Sequence, residues 1–204
     1  MAQRPALLVA SGNPKKQREF AELLAGAPIE IVGFEAFPNF PEIEETGATF
    51  EENADLKALA ASRHAGILAL ADDSGLEVDA LGGRPGVHSA RYASVGPGNA
   101  TDEANRAKLL RELKGIPNDR RTARFRCAIA VARDGKVVLR AAGAVEGRIL
   151  EAERGAGGFG YDPLFVPAGH GRTFAEMDSQ EKASLSHRGR ALAALRPRLL
   201  ALLG

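Results

Sequence analysis

A chain of 204 residues, 45% hydrophobic and 26% charged, has ordinary globular composition and enough length to bury a core without disulfides or structural metal. Its 27 basic and 26 acidic residues leave a net charge of +1. That balance and a 5% aromatic content argue against the electrostatic footprint and stacking platforms of a nucleic-acid binder, and against an anionic-membrane binder. The single cysteine, Cys127, excludes an intramolecular disulfide and a cysteine-based zinc site; no stretch approaches the ~20 apolar residues of a membrane span, and the short run after Pro5 is too brief for a signal-peptide core, so the expected compartment is the cytoplasm.

In chain order, Ala6 to Ala10 is a short apolar run that reads as a buried strand. Ser11-Gly12-Asn13-Pro14 follows, a turn with a helix start built in. Asn13 can cap, Pro14 suits the first helical position, and Phe20, Leu23 and Leu24 share one face. Gly26 is positioned to end this helix, and Ile29 to Phe34 alternates like a strand. Residues 35–48 read as loop. Thr49-Phe50-Glu51-Glu52 is a capping box, opening a helix to about Ala65 that Gly66 stops. Ile67 to Ala71 is another short strand. Residues 72–100 hold four turn clusters and read as a long irregular region. Thr101 caps a helix through Lys114.

The second half is patterned differently. Arg124 to Arg133 and Lys136 to Ala142 alternate around Asp134-Gly135, a hairpin signal, and Ala144 to Leu150 reads as a third strand. Residues 154–173 are a Gly-rich loop with a short apolar piece, Pro163 to Val166. A last helix starts after Ser186, and Pro197 is expected to kink or break it. The expected fold is α/β: a mixed sheet flanked by helices, one domain over residues 1–204 shaped as two lobes with a central cleft.

Four stretches carry chemistry. Ser11-Gly12-Asn13-Pro14-Lys15-Lys16 lies between a strand and a helix, where backbone N–H groups and the helix dipole attract anions and Lys16 adds a point charge. By spacing alone it is better described as a capped helix with solvated lysines, and it is not a P-loop. Glu44-Glu45-Thr46-Gly47 and Asp72-Asp73-Ser74-Gly75, the latter at a strand end, are oxygen-rich. Adjacent carboxylates resist joint burial unless a cation neutralises them, and such a set suits Mg²⁺ as well as simple solvation. Gly155 to Pro163 contains a formal Gly-x-Gly-x-x-Gly, but Asp162-Pro163 and a strand-like run follow it instead of a helix. The dinucleotide reading is therefore rejected in favour of a loop able to cradle a planar base. Ser186-His187-Arg188, near Lys182, offers several donors for the carbonyl edge of a base. The basic run Arg120 to Arg126 alternates and reads as a half-exposed strand with a solvated face, and Cys127 reads as a packed thiol.

Taken together, Ser-Gly-Asn-x-x-Lys, Glu-Glu-Thr-Gly-x-Thr-Phe-x-Glu-Asn-Ala, Ala-Asp-Asp-Ser-Gly-Leu, Pro-Gly-Val-His-Ser-Ala-Arg-Tyr, Gly-Gly-Phe-Gly-Tyr-Asp-Pro and Ser-His-Arg-Gly occur in order from about Leu8 to Leu195. This series resembles the inosine/xanthosine triphosphate pyrophosphatases, the non-canonical purine NTP pyrophosphatase family. The resemblance implies Mg²⁺-dependent hydrolysis of ITP, dITP and XTP to the monophosphate and pyrophosphate by a cytoplasmic homodimer. It further implies that Ser11, Gly12, Asn13, Pro14, Lys15 and Lys16 hold the triphosphate, and that Lys16 assists catalysis. Glu44 and Asp73 would bind Mg²⁺, with Asp73 also the proton acceptor. Ser74 would touch substrate, Phe159, Gly160, Tyr161 and Asp162 would line the base pocket, and Lys182, His187 and Arg188 would read the base edge. Two readings from other classes compete: a nucleotide-binding protein without turnover, and a nucleic-acid module built on residues 120–126.

Overall fold

The structure is a computed structural model and describes residues 4–37 and 39–203. Six strands form one sheet: β1 (Ala6–Val9), β2 (Glu30–Val32), β3 (Leu68–Val78), β4 (Thr122–Arg133), β5 (Lys136–Ile149) and β6 (Phe165–Pro167), in the order β2-β1-β3-β4-β5-β6. β1 pairs parallel with β2 (Leu7 opposite Ile31) and with β3 (Leu8 opposite Ala69), whereas β5 and β6 run antiparallel, so the sheet is mixed. Asp134 and Gly135, with φ of 51° and 70°, supply the two left-handed positions that a tight turn between β4 and β5 demands.

The helices are α1 (Pro14–Leu23), α2 (Phe50–Ala65), α3 (Asp102–Glu112), α4 (Ser179–Leu185) and α5 (His187–Leu203). Their starts follow the expected chemistry. Asn13 caps α1 with Pro14 at its first position. Thr49 and Glu52 form a complete capping box on α2, which Gly66 closes in the left-handed conformation, and Thr101 caps α3.

The chain divides into two compact units. The first comprises residues 1–73, 127–143 and 188–204, and the second residues 74–126 and 144–187. The first is built on Leu7, Val9, Phe20, Leu68, Leu70, Ile129, Val131, Leu192, Leu195 and Leu199. The second is built on Leu76, Val78, Leu109, Leu113, Phe125, Phe165 and Phe174.

Four expectations need correction. The strand expected to stop at Ala71 continues to Val78, so Asp72 to Gly75 lie inside β3 rather than at its end. Leu68 and Leu70 anchor its first part in one core and Leu76 and Val78 its last part in the other, and the acids between them meet cations. Two expected strands merge into the single 14-residue β5. Pro197 does not end α5, which continues to Leu203. An interior proline costs a helix about 3 kcal/mol, and burying Leu192, Leu195 and Leu199 at about 1.5–3 kcal/mol each outweighs it. α4 was not expected: it lies within the polar stretch before Ser186, where Asp178 caps it.

Candidate active site

In the first unit the turn from β1 to α1 is tightly tied. Asn13 Oδ1 accepts from the N–H groups of Lys15 (2.9 Å) and Lys16 (3.3 Å), the Asn13 N–H donates to Ser11 Oγ (3.2 Å), and Gln17 Nε2 donates to the Ser11 carbonyl (2.7 Å). Pro14 has no N–H to offer. The cap therefore occupies the N–H groups of Lys15 and Lys16, and the charge this turn presents to an anion comes from the lysine side chains.

The Lys16 ammonium reaches Asp72, Nζ to Oδ2, at 3.0 Å. The same oxygen accepts from Arg188 Nη2 at 3.3 Å, and Arg188 Nη1 pairs with Glu19. Asp72 and Arg188 are both buried. Burial opposes the Asp72 charge, but Lys16, Arg188 and Lys57 more than reverse that and hold its carboxyl far below the usual carboxylate range. Cys127 lies in the same buried neighbourhood. Its thiol is pushed up to about 12 by burial and then by Asp72, so it is an inert packed group.

Asp73, the next residue, behaves in the opposite way. Its Oδ1 accepts from Lys57 Nζ (2.9 Å) and its Oδ2 from Asn53 Nδ2 (3.2 Å), while Lys57 Nζ also meets Glu45 Oε1 at 2.8 Å. Burial raises the Asp73 carboxyl above its ordinary value; Lys57 opposes this and Glu45 reinforces it. Burial also works against the Lys57 charge, but Asp73, Asp72 and Glu45 overcome it and raise its pKa. Asn53 Oδ1 accepts the Gly47 N–H at 2.8 Å, which docks the acidic loop onto α2. A side chain on Gly47 would meet Asn53 Oδ1 and Glu52 Cβ at 2.7 Å.

An ammonium bridging two carboxylates marks a place that favours positive charge, and hard oxygen donors of this kind suit Mg²⁺, which takes one or two carboxylates and completes its shell with water and phosphate oxygens. Among the described residues no group of three or more His, Cys, Asp or Glu forms a closed metal site. The carboxylate brought to Lys57 is Glu45, whereas Glu44 is exposed.

In the second unit Asp162 organises the Gly-rich loop. Its Oδ2 accepts from the Phe159 N–H and from Lys182 Nζ, each at 2.8 Å, and the Lys182 ammonium lies 4.6 Å from the centre of the Phe159 ring. Gly158, at φ +71°, passes so close to the Asp162 carboxylate that a side chain there would collide with it. Tyr161 is turned into the core, its hydroxyl donating to the Ser89 carbonyl at 2.9 Å. His187 is buried and stacks on Phe125, with centroids 4.9 Å apart and planes at 14°.

The expected residues thus form two groups. Ser11, Gly12, Asn13, Pro14, Lys15, Lys16, Glu44, Asp73 and Arg188 belong to the first unit; Ser74, Phe159, Gly160, Tyr161, Asp162, Lys182 and His187 belong to the second. His187 and Arg188 are adjacent in sequence but serve different cores. The basic run is largely neutralised within the second unit, where Arg124 pairs with Asp79 and Glu146 and Arg126 with Glu77. Arg121 is buried and donates to the carbonyls of Leu113, Ile149 and Leu150.

The motif reading gave no role to Lys57, Asn53 or Asp72 individually. Asn53 and Lys57 stand four residues apart, among Phe50, Ala54, Ala58 and Ala61 on the buried face of α2. Two polar side chains at that spacing within an apolar stripe are the signal that could have revealed them.

The lysine-bearing turn and the buried acids of β3 in the first unit suit an anionic substrate, and the likeness to known proteins makes this chain a nucleoside-triphosphate pyrophosphatase, a hydrolase of phosphoric anhydrides. The chain belongs to the Ham1 family, whose model matches residues 7–198. It is 53% identical over 193 residues to the dITP/XTP pyrophosphatase of Geobacter sulfurreducens (95% of this chain, 96% of that one) and 54% identical over 186 residues to that of Desulforamulus reducens (91% of each). Among solved structures it is similar to a HAM1 protein from Coxiella burnetii, with TM-score 0.86 and 44% identity over 97% of this chain and 99% of the other. A nucleoside-triphosphatase, dITP/XTP pyrophosphatase, from Mycobacterium abscessus matches with TM-score 0.75 and 47% identity over 94% and 99%.

Proposed function

We propose that this enzyme hydrolyses non-canonical purine nucleoside triphosphates (ITP, dITP and XTP) to the monophosphate and pyrophosphate, with Mg²⁺, and so cleanses the nucleotide pool. The observation that carries the reading is the pair Asp72-Asp73 in β3, one acid bound to Lys16 of the β1–α1 turn and the other raised in basicity by burial. The dITP/XTP pyrophosphatase names of relatives near 50% identity across almost the whole chain support it.

In this mechanism Ser11 to Lys16 hold the triphosphate, and the Lys16 ammonium neutralises charge on the phosphates as pyrophosphate departs. Asp73 orients a water and accepts its proton as the water oxygen bonds to the α-phosphorus and the bond from that phosphorus to the bridging oxygen breaks. A carboxylate kept basic by burial suits that role. Asp73 would hold Mg²⁺ together with an acid of the Glu44-Glu45 pair, and the bound ion supplies charge neutralisation to the phosphates. Ser74 contacts the substrate beside Asp73. Phe159 stacks on the base, Gly160 and Asp162 shape its pocket, and Lys182 donates to the oxygen at the purine six-position. Adenine has an amino donor there and leaves the lysine unmatched. On the resemblance His187 and Arg188 join the base-reading set, the enzyme is a homodimer, and it works in the cytoplasm. Among the described residues no helix is long and apolar enough to cross a membrane.

The test is a panel of ITP, dITP, XTP, GTP and ATP with Mg²⁺ and separate detection of pyrophosphate and orthophosphate. Pyrophosphate released from the deaminated purines is the expected result, and no turnover of any purine triphosphate overturns the reading. Asp73→Asn should lower kcat at least about 100-fold with a modest loss of substrate binding. An unchanged kcat removes Asp73 from the chemistry.

A further inference from the structure

The Gly-rich loop is held by residues that none of the motifs includes. Arg106, in the second turn of α3, is mostly buried. Its Nε donates to Glu153 Oε1 at 2.8 Å and its Nη1 to the Gly160 carbonyl at 2.9 Å. Asp102, at the start of the same helix, accepts the Gly160 N–H through Oδ2 at 2.8 Å. Both backbone groups of Gly160 are therefore bound to α3. One guanidinium also joins Glu153 and Gly160, which bracket residues 154–159.

We propose that Arg106 and Asp102 are positioning residues for base selection: they clip the two ends of the Gly-rich loop to α3 and so fix the Phe159 ring and the Asp162–Lys182 pair before a purine arrives. The inference rests on the base-binding role given above to Phe159 and Lys182. The chemistry of the clip is specific. A planar guanidinium offers donors in a fixed fork, so it can serve a carboxylate and a carbonyl at once, whereas a lysine ammonium lacks that rigid geometry. Gly160 adopts φ +61°, a conformation that favours glycine, and the N–H and carbonyl it presents are the two groups α3 takes. Phe159 precedes this anchor and Asp162 follows it by two residues, so displacement of Gly160 would move both the stacking ring and the carboxylate that holds Lys182. Tying the loop in advance also spares the binding step the entropy of ordering it.

The clip makes a prediction that a merely stabilising contact does not. Arg106→Gln should raise KM for ITP about tenfold and compress the preference for ITP over ATP by a similar factor, while the inhibition constant of inorganic tripolyphosphate, which has no base, stays unchanged. Arg106→Lys should recover part of the loss through the bond to the Gly160 carbonyl. Glu153→Ala removes one of the two acceptors of the fork from an exposed position and should shift KM and preference in the same direction by less; with Asp102→Ala, which removes the acceptor of the Gly160 N–H, it decides the matter if the Arg106 variants do not fold. Unchanged KM and preference, or a tripolyphosphate constant that moves in step with KM, overturns the clip. Phe159→Ala, measured in parallel, separates the two levels. If it leaves base preference intact, the base-loop reading falls and takes the clip with it. If it lowers preference while the clip variants do not, the clip alone falls.

Discussion

Asp72 and Asp73 are chemically identical neighbours that the fold drives apart. Successive side chains in a strand point to opposite faces, so one acid turns to Lys16 and Arg188 and the other to Lys57 and Asn53. The first becomes a permanent anion and the second a carboxylate of raised basicity. Breaking a buried ion pair by neutralising one partner costs about 3–5 kcal/mol, because the stranded charge stays in the interior. Asp72→Asn would leave Arg188 with Glu19 as its remaining carboxylate partner and release Lys16, so its expected melting temperature is several degrees, up to about 10 °C, below wild type, with a raised KM for triphosphates. Thermal unfolding followed by steady-state kinetics checks both, and an unchanged KM would show that Lys16 does not need its anchor. The family likeness singled out Asp73, but the residue pattern alone did not separate the roles of the two acids. Only the alternation of a continuous strand does that, and four consecutive polar or glycine residues, Asp72 to Gly75, disguise the strand as a loop.

At the level of elements, start signals were more legible than ends. Asn13-Pro14, the Thr49–Glu52 box and Thr101 use local chemistry, and local chemistry is written in adjacent residues. The full extents of β3, β5 and α5 depend on which core receives each end, and that information is distributed along the chain. Pro197 shows the balance. It sits exposed in α5, between Leu195 and Leu199 of the first core, and the helix carries the lost hydrogen bond. Pro197→Ala restores the donor without touching the core, so the melting temperature should rise by several degrees, up to the equivalent of about 3 kcal/mol, with activity unchanged. A fall would mean that the proline stabilises chiefly by restricting the unfolded chain.

For the molecule as a whole, the two units are interleaved in sequence. The chain passes between them at residues 73–74, 126–127, 143–144 and 187–188, each time inside a strand or a helix. No Pro- or Ser-rich linker marks these passages, which is why composition indicates one domain and does not locate the points at which the chain passes from one unit to the other. The passages also cut through the motifs: Asp73 closes one segment and Ser74 opens the next, and His187 and Arg188 part in the same way. A chain ending at Ser186 would lack Leu192, Leu195 and Leu199. Their burial, about 1.5–3 kcal/mol each, is comparable with the whole stability of a typical domain, about 5–15 kcal/mol. That truncated chain should show no cooperative thermal transition for its first unit, measured by calorimetry beside the full-length protein. A normal transition would place the stability elsewhere.

The same interleaving sets a timetable for synthesis. Residues 74–187 contain everything the later unit requires, whereas the unit that starts at the N-terminus waits for its closing helix. On the ribosome, residues 4–73 therefore emerge before the second unit but complete their core after it, reversing the usual N-to-C order of domain folding for these two units. Until α5 clears the exit tunnel, Leu7, Phe20 and Leu70 lie uncovered by their final partners. Their apolar side chains are thus made well over a hundred residues before the leucines of α5 that complete the same core.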